Sequence, residues 1–299
     1  MNTETLLLTT RSARPPFLLL TLSCISLGIA IALSTPGVKV HLADVILILI
    51  AGIASHVSVN AFNEYFDFRS GLDDLTEKTP FSGGSGLLPT HPDLDKSVLL
   101  MALVSLAVCI AIGLYFTISH GMVPLVIGSV GVLIIITYTH LITHSPFASL
   151  LAPGIAFGPL MILGTVYVLS GTIPTAAIVA SLIPFFLVNN LLLLNQYPDV
   201  DADKQVGRRN YPILIGRSKS SLIYTVFTLL AFALIPLGIV MGLFPPLSLL
   251  AIITLVPALV SVRDSFRHAD DISQLAKAMG LNVIVNLITP ALLAATLVI

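Results

Sequence analysis

Two short stretches hold most of the side chains in this sequence that could do chemistry. The first reads "NAFNEYFDFRSGLDD" from Asn60, and the second reads "NQYPDVDADKQVGRR" from Asn195. In the first, Asn60, Asn63 and Asp67 fall at i, i+3 and i+7, one face of a helix; Gly71 can then turn the chain before Asp73 and Asp74. In the second, Asn195, Asp199 and Asp203 are spaced by four and again share a helical face, while Asp201 points elsewhere. Lys204, Arg208 and Arg209 come directly behind. Clustered carboxylate and amide oxygens are hard ligands that suit Mg²⁺, which takes one or two carboxylates, keeps waters and completes its shell with phosphate oxygens. Adjacent Arg and Lys complement the same phosphate oxygens. The pattern fits a diphosphate clamped between two acid-held magnesium sites. Ordinary solvated loop charge is the plain alternative.

The elements that carry these motifs are membrane helices. The chain has 299 residues, of which 56% are hydrophobic and only 10% charged, with a mean hydropathy of +1.00. A soluble domain carries about 25% charged residues, so this one cannot coat a water-facing surface. A crossing helix needs roughly 20 apolar residues, and backbone in lipid must satisfy its own hydrogen bonds. The sequence therefore predicts an all-α polytopic membrane bundle of about nine helices, at 16–34, 42–63, 97–118, 122–143, 148–169, 174–196, 220–242, 244–262 and 278–299. Pro245, Pro246 and Pro257 punctuate the eighth run, so eight spans with that segment half-inserted is the alternative count. No polar linker divides the chain, so residues 1–299 read as one domain.

Charge gives the orientation. With nine spans, every Lys and Arg except Lys39 lies on the side that holds both motifs. The positive-inside rule makes that side cytoplasmic, which places the protein in the cell membrane with its acidic loops facing the cytoplasm. A net charge of -1 argues against a nucleic-acid partner. Cys24 and Cys109 both sit in apolar runs, which excludes a disulfide framework. Membrane lipid is the expected surrounding, and no obligate protein partner is evident.

At the two acidic motifs the chain resembles the UbiA superfamily of intramembrane prenyltransferases, and the resemblance extends over most of its length. It implies nine helices around a central cavity, with Mg²⁺-dependent transfer of an isoprenoid from its diphosphate to an acceptor, usually aromatic. Asn63, Asp67 and Asp73 match the first family motif and Asn195, Asp199 and Asp203 the second, so these six become the expected metal-holding set. The placement of Asp73 beyond Gly71 resembles the 1,4-dihydroxy-2-naphthoate prenyltransferase branch, which serves menaquinone synthesis. "FSGGSGLL", "FGPLMILGTVYVLSG" and Arg14-Pro15 resemble that branch too, whereas Pro153-Gly154 stands where a Gly-Glu pair is expected.

Around that core, Arg14, Lys78, Lys204, Arg208, Arg209 and Tyr138 are the expected substrate-binding side chains, together with Asn63 and Asn195. Gly83, Gly84 and Gly86 could turn backbone N–H groups toward phosphate, or simply connect. His140 and His144 have metal-site spacing but no accompanying Glu. Asn189 and Asn190, inside the sixth run, read as helix-to-helix glue. No residue stands out as the base for the acceptor. Two alternatives remain at this level. One keeps the fold and changes the acceptor to 4-hydroxybenzoate, a glycerol phosphate or a tetrapyrrole. The other is a small-ion transporter, which would place its ionisable groups near the bilayer midplane rather than at one face.

Overall fold

The structure is a computed structural model that describes residues 3–76 and 78–299. Among these residues it is all helix and turn, with no strand. Eight helices are long and apolar enough to cross a membrane: α1 (Pro15–Ser34), α2 (Leu42–Arg69), α3 (Pro92–His120), α5 (Pro146–Ser170), α6 (Thr175–Asn195), α7 (Arg217–Val240), α8 (Pro246–Arg267) and α9 (Ile272–Val298). A shorter apolar helix, α4 (Val123–Thr137), completes the set.

The nine expected segments are all present, but the weak one is not where the prolines suggested. α8 accommodates Pro245 and Pro246 by starting as a 3-10 helix over Pro246–Thr254 and continuing as α-helix over Leu255–Arg267. Proline at a first turn removes only an N–H that had no partner there. The short element is α4, which stops at Thr137 rather than running on to 143. Its 15 residues rise only about 22 Å, less than the hydrocarbon core. The chain after it turns aside to meet the two acidic motifs: Thr139 Oγ1 donates to Asn63 Oδ1 at 3.3 Å, and the Thr143 carbonyl accepts the Arg209 N–H at 2.9 Å.

α6 is the centre of the bundle. Its buried residues pack with those of α1, α5, α7, α8 and α9 in one apolar core that includes Ile162, Ile183, Leu187, Ile235 and Leu293. Polar side chains join the helices where lipid offers no hydrophobic drive for association. Asn190 Nδ2 donates to the Tyr224 carbonyl at 2.8 Å and to Thr228 Oγ1 at 2.9 Å, and Asn282 reaches the Asn190 carbonyl at 3.3 Å. The glue reading of these amides therefore holds. Large apolar side chains such as Leu100, Leu103, Val104, Leu133 and Leu229 face outward, as a lipid-facing surface requires.

α5 departs from regular geometry. Residues Ala156–Leu163 form a π-helical stretch between two α-helical pieces. Pro153 and Pro159 lie inside it or just before it and cannot donate to the α ladder. Gly154 and Gly158, one turn apart, let α6 come very close. A methyl at Gly154 would lie 2.2 Å from the Phe185 carbonyl oxygen, and one at Gly158 would lie 2.5 Å from that of Ser181. The Gly154 N–H donates to Asn189 Oδ1 at 2.7 Å. Pro153-Gly154 is thus a helix-packing device, and no acid stands at that point of α5.

Candidate active site

A cavity of about 730 Å³ runs between α1, α2, α3, α4, α5 and α6. One end is acidic, and the rest is walled by apolar groups such as Ile48, Ile110, Leu125, Leu160 and Met161. The first motif builds its share of the acidic end as its periodicity predicts. α2 continues unbroken to Arg69, and Asn60, Asn63 and Asp67 all line the cavity. Gly71, with φ +77°, reverses the chain in the left-handed region, and Asp73 follows on the one-turn helix Leu72–Leu75.

The second motif differs from expectation in its backbone. Asn195, Asp199 and Asp203 do not lie on one continuous helix, because α6 ends at Asn195 and a new helix begins at Val200. Pro198 supplies the reason: it lacks an N–H and disfavours helical geometry at Tyr197 before it. All three side chains nevertheless face the cavity. Asp201 is 82% exposed and lies 3.7 Å from Arg217, away from the site.

Arg208 ties the two motifs together. Its guanidinium donates to Asp67 Oδ1 from one nitrogen and to Asp203 Oδ1 from the other, the latter at 3.2 Å. Asn210 Nδ2 donates to the second Asp203 oxygen at 2.9 Å, while Asn210 Oδ1 caps the helix Tyr211–Ile215. Arg14 also lines the cavity, at a left-handed backbone position with φ 53°. Tyr138 lines it as well, close enough to Arg208, Asp67 and Asp203 to feel their charges. Lys204 and Arg209 are exposed and line no part of the cavity, so of the three cations behind the second motif only Arg208 enters. Lys78 is exposed too, but its ammonium passes over Gly86 and stabilises the Asp73 carboxylate. His140 and His144 are both exposed; His140 packs its ring on Phe66.

Glu64 is the acidic residue that the motif spacing missed. It is 2% exposed and accepts from the Ser85 N–H at 2.8 Å and the Ser85 hydroxyl at 2.5 Å. The glycine loop therefore folds over the first motif: a methyl at Gly84 would sit 3.1 Å from Asp73 Oδ1 and 3.3 Å from Glu64 Oε2. An acid at the end of a membrane helix needs such partners, which was the available signal.

The electrostatics call for a cation. Among the described residues that line the cavity, Asp67, Asp73, Asp199 and Asp203 face two guanidinium groups, Arg14 and Arg208, with the Lys78 ammonium outside the lining acting on Asp73. Burial, with Glu64 and Asp67 nearby, pushes Asp73 up to about 8. Burial and the Asp203 charge push Asp199 up to about 7, and burial raises Asp203 as well. Asp73 Oδ2, Asn195 Oδ1 and Asp199 Oδ1 are buried oxygens with no hydrogen-bond partner. Unpaired buried acceptors are costly, and these come from both motifs. No three His, Cys, Asp or Glu side chains among the described residues surround a single point. Mg²⁺ does not require that, since it binds through one or two carboxylates plus water and phosphate. The oxygens present fit Mg²⁺.

A helical membrane bundle with an acid-ended cavity is the class that this architecture defines. The sequence matches the model of the UbiA prenyltransferase family over residues 15–288, and the chain belongs to that family. A relative from Bacillus subtilis (strain 168), 1,4-dihydroxy-2-naphthoate octaprenyltransferase, is 30% identical over 200 residues, 66% of this chain and 63% of the relative. The match thus spans less than two thirds of that relative's length. Among solved structures, a UbiA homologue from Aeropyrum pernix K1 superposes with a TM-score of 0.70 at 17% identity, covering 91% of this chain and 96% of the other. A UbiA homologue from Archaeoglobus fulgidus bound to DMAPP and Mg²⁺ gives 0.64 at 16% identity, covering 96% and 99%. A digeranylgeranylglyceryl phosphate synthase gives 0.65 at 16% identity, covering 99% of both chains. At these identities the structural likeness concerns the fold.

Proposed function

We propose that this chain transfers an isoprenoid from a prenyl diphosphate to an electron-rich aromatic acceptor of the 1,4-dihydroxy-2-naphthoate type, in menaquinone-type quinone synthesis. The observation that carries the reading is the set of unpaired buried oxygens on Asp73, Asn195 and Asp199 at the acidic end of an otherwise apolar cavity. The clustered carboxylates would repel a diphosphate on its own, so Mg²⁺ would accompany it; Asp67, Asp73, Asp199 and Asp203 would hold the ion, with Asn63 and Asn195 completing the two ends. When bound, Mg²⁺ neutralises the departing diphosphate. Arg208, already fixed by Asp67 and Asp203, presents positive charge between the two motifs as negative charge develops on the leaving group. The C–O bond breaks with its electron pair on the diphosphate, and the allylic cation is attacked by an electron-rich acceptor carbon. The ring regains aromaticity by losing that carbon's substituent, a proton to water or, for a naphthoate attacked at its carboxyl-bearing carbon, CO₂.

The apolar wall does two things in this scheme. It shelters the tail, whose burial contributes roughly 0.8 kcal/mol per CH₂, and it keeps water from the allylic cation. The relative named for a naphthoate acceptor supports the acceptor class. The excess of Lys and Arg on the motif side supports a cytoplasmic orientation in the cell membrane.

The test uses purified protein in detergent with Mg²⁺, geranylgeranyl diphosphate and 1,4-dihydroxy-2-naphthoate, with products read by mass spectrometry. A prenylated naphthoquinol is expected. Prenylation only of 4-hydroxybenzoate or of a glycerol phosphate would overturn the acceptor class and leave prenyl transfer standing. No release of diphosphate with any acceptor would overturn the reading altogether.

A further inference from the structure

His56 lies seven residues before Asn63, inside the apolar part of α2, and is 6% exposed. It lines the cavity beyond the acidic end, and a buried ionisable residue within a membrane helix calls for a partner and a reason. Its partner is Thr21 of α1, whose Oγ1 lies 2.8 Å from His56 Nδ1. Gly52, one turn before His56, permits this contact. A methyl there would lie 2.5 Å from Ile25 Cδ1 and 3.1 Å from Thr21 Cγ2, so the glycine lets α1 close on α2.

The direction of that hydrogen bond follows from the surroundings of Thr21. Its side chain is fully buried, and it makes no bond to a carbonyl of the preceding turn, as Thr35, Thr117 and Thr165 do in their helices. Among the described residues, His56 Nδ1 is its one hydrogen-bond partner. A buried hydroxyl must place its hydrogen somewhere, so Thr21 donates and Nδ1 accepts. The ring's single N–H is then on Nε2, and no side chain or carbonyl among the described residues receives it. Phe157, from the π-helical stretch of α5, meets the imidazole edge-on at 4.8 Å and 75° and lines the same part of the cavity. Arg14 is the charged group near this ring.

We propose that His56, locked by Thr21 and flanked by Phe157, is a binding group for the acceptor: its Nε2–H donates to an oxygen on the acceptor's aromatic ring. Resting on the prenyl-transfer reading above, this suits a flat, oxygen-bearing aromatic acceptor, since the wall around that N–H is apolar and includes the Phe157 ring. A fixed N–H in an apolar wall rejects a ligand that leaves it unpaired. His56 positions the ring and takes no proton in this assignment.

The test compares binding of 1-hydroxy-2-naphthoate, an acceptor-like probe, to purified wild type and three variants by fluorescence titration, alongside KM values for both substrates. His56→Leu should weaken the probe about tenfold or more and raise KM for the acceptor while leaving KM for geranylgeranyl diphosphate in place. His56→Gln puts an amide N–H near the position of Nε2 and should recover most of the lost affinity. Thr21→Val frees the tautomer and should weaken the probe by several-fold, with ¹⁵N shifts of the imidazole moving away from the Nε2–H form. Unchanged probe affinity in His56→Leu, or equal losses for both substrates, overturns the assignment. If His56→Leu fails to fold, Thr21→Val decides, and unchanged affinity there overturns it. Prenyl transfer by the wild type is read in the same assay, so failure of the activity itself is seen separately.

Discussion

Arg208 donates a hydrogen bond to Asp67 across 141 residues of sequence, and this single pair joins the two acidic motifs into one site. The other guanidinium nitrogen holds Asp203, so the cation stands between a carboxylate of each motif. Both acids and the arginine are nearly buried, with side-chain exposures of 9%, 5% and 14%.

Removing Arg208 should therefore damage stability as well as activity. Arg208→Ala leaves Asp67 and Asp203 buried without their cation, a loss of about 3–5 kcal/mol for broken buried pairs. Thermal unfolding in detergent should show a clear drop in midpoint, partly restored by Mg²⁺. A midpoint within a degree of wild type would mean that the bridge is not a structural tie.

The two ends of the site should fail together. Asp67→Asn and Asp199→Asn keep shape and remove the metal-holding charge, and each should lower turnover by about 10²-fold or more. The double variant should be scarcely worse than either single, since groups acting as a unit are not additive. Asp201→Asn, exposed and paired only with Arg217, should stay within a few-fold of wild type. Full activity in either single variant, with the protein folded, would remove the two-ended clamp.

Mg²⁺ should displace protons near neutrality. Asp73 is pushed up to about 8 and Asp199 up to about 7, well above the ordinary carboxylate value. Groups raised in this way favour the folded metal-free protein most below about pH 4, and that contribution is lost as pH rises through 7 to 8. Only the deprotonated carboxylates bind the ion, so apparent affinity should rise with pH over the same window. Calorimetric titration of Mg²⁺ at pH 6.5 in buffers of different ionisation enthalpy should report proton release that shrinks by pH 8.5. Identical heats in all buffers at pH 6.5 would contradict the raised values.

Two glycines should respond unequally to the same substitution. Gly154→Ala forces a methyl to within 2.2 Å of the Phe185 carbonyl oxygen, which is backbone and cannot yield cheaply. Gly113 lines the cavity and an added methyl there meets nothing within 4 Å. The alanine at 154 should lower the unfolding midpoint by several degrees, whereas the alanine at 113 should leave it nearly unchanged. Equal effects would show that α5 and α6 do not depend on their close approach.

The orientation has its own measurement. Ser70 and Gln205 are exposed beside the two motifs. Cysteine at either position should react with a membrane-impermeant thiol reagent in inverted vesicles and not in intact cells. Labelling in intact cells would reverse the orientation.

Local rules account for the part of this architecture that can be read along the chain. Ten per cent charged residues and long apolar runs set a membrane bundle of nine helical segments, because lipid permits little else. The face shared by Asn60, Asn63 and Asp67 was legible because α2 is regular to Arg69, and a helical period read from spacing holds wherever the helix is unbroken. Where Pro198 broke the helix, the same arithmetic lost the backbone and kept only the residues. Tertiary structure decided the rest. It chose Arg208 over Lys204 and Arg209 as the cation within, gave Glu64 its partner in Ser85, shortened α4 to meet the motifs, and set His56 against Thr21. Each of these depends on how closely two distant segments approach. For His56 and Glu64 that approach is permitted by the absence of a side chain at Gly52 and Gly84, and no periodicity along a single helix encodes it.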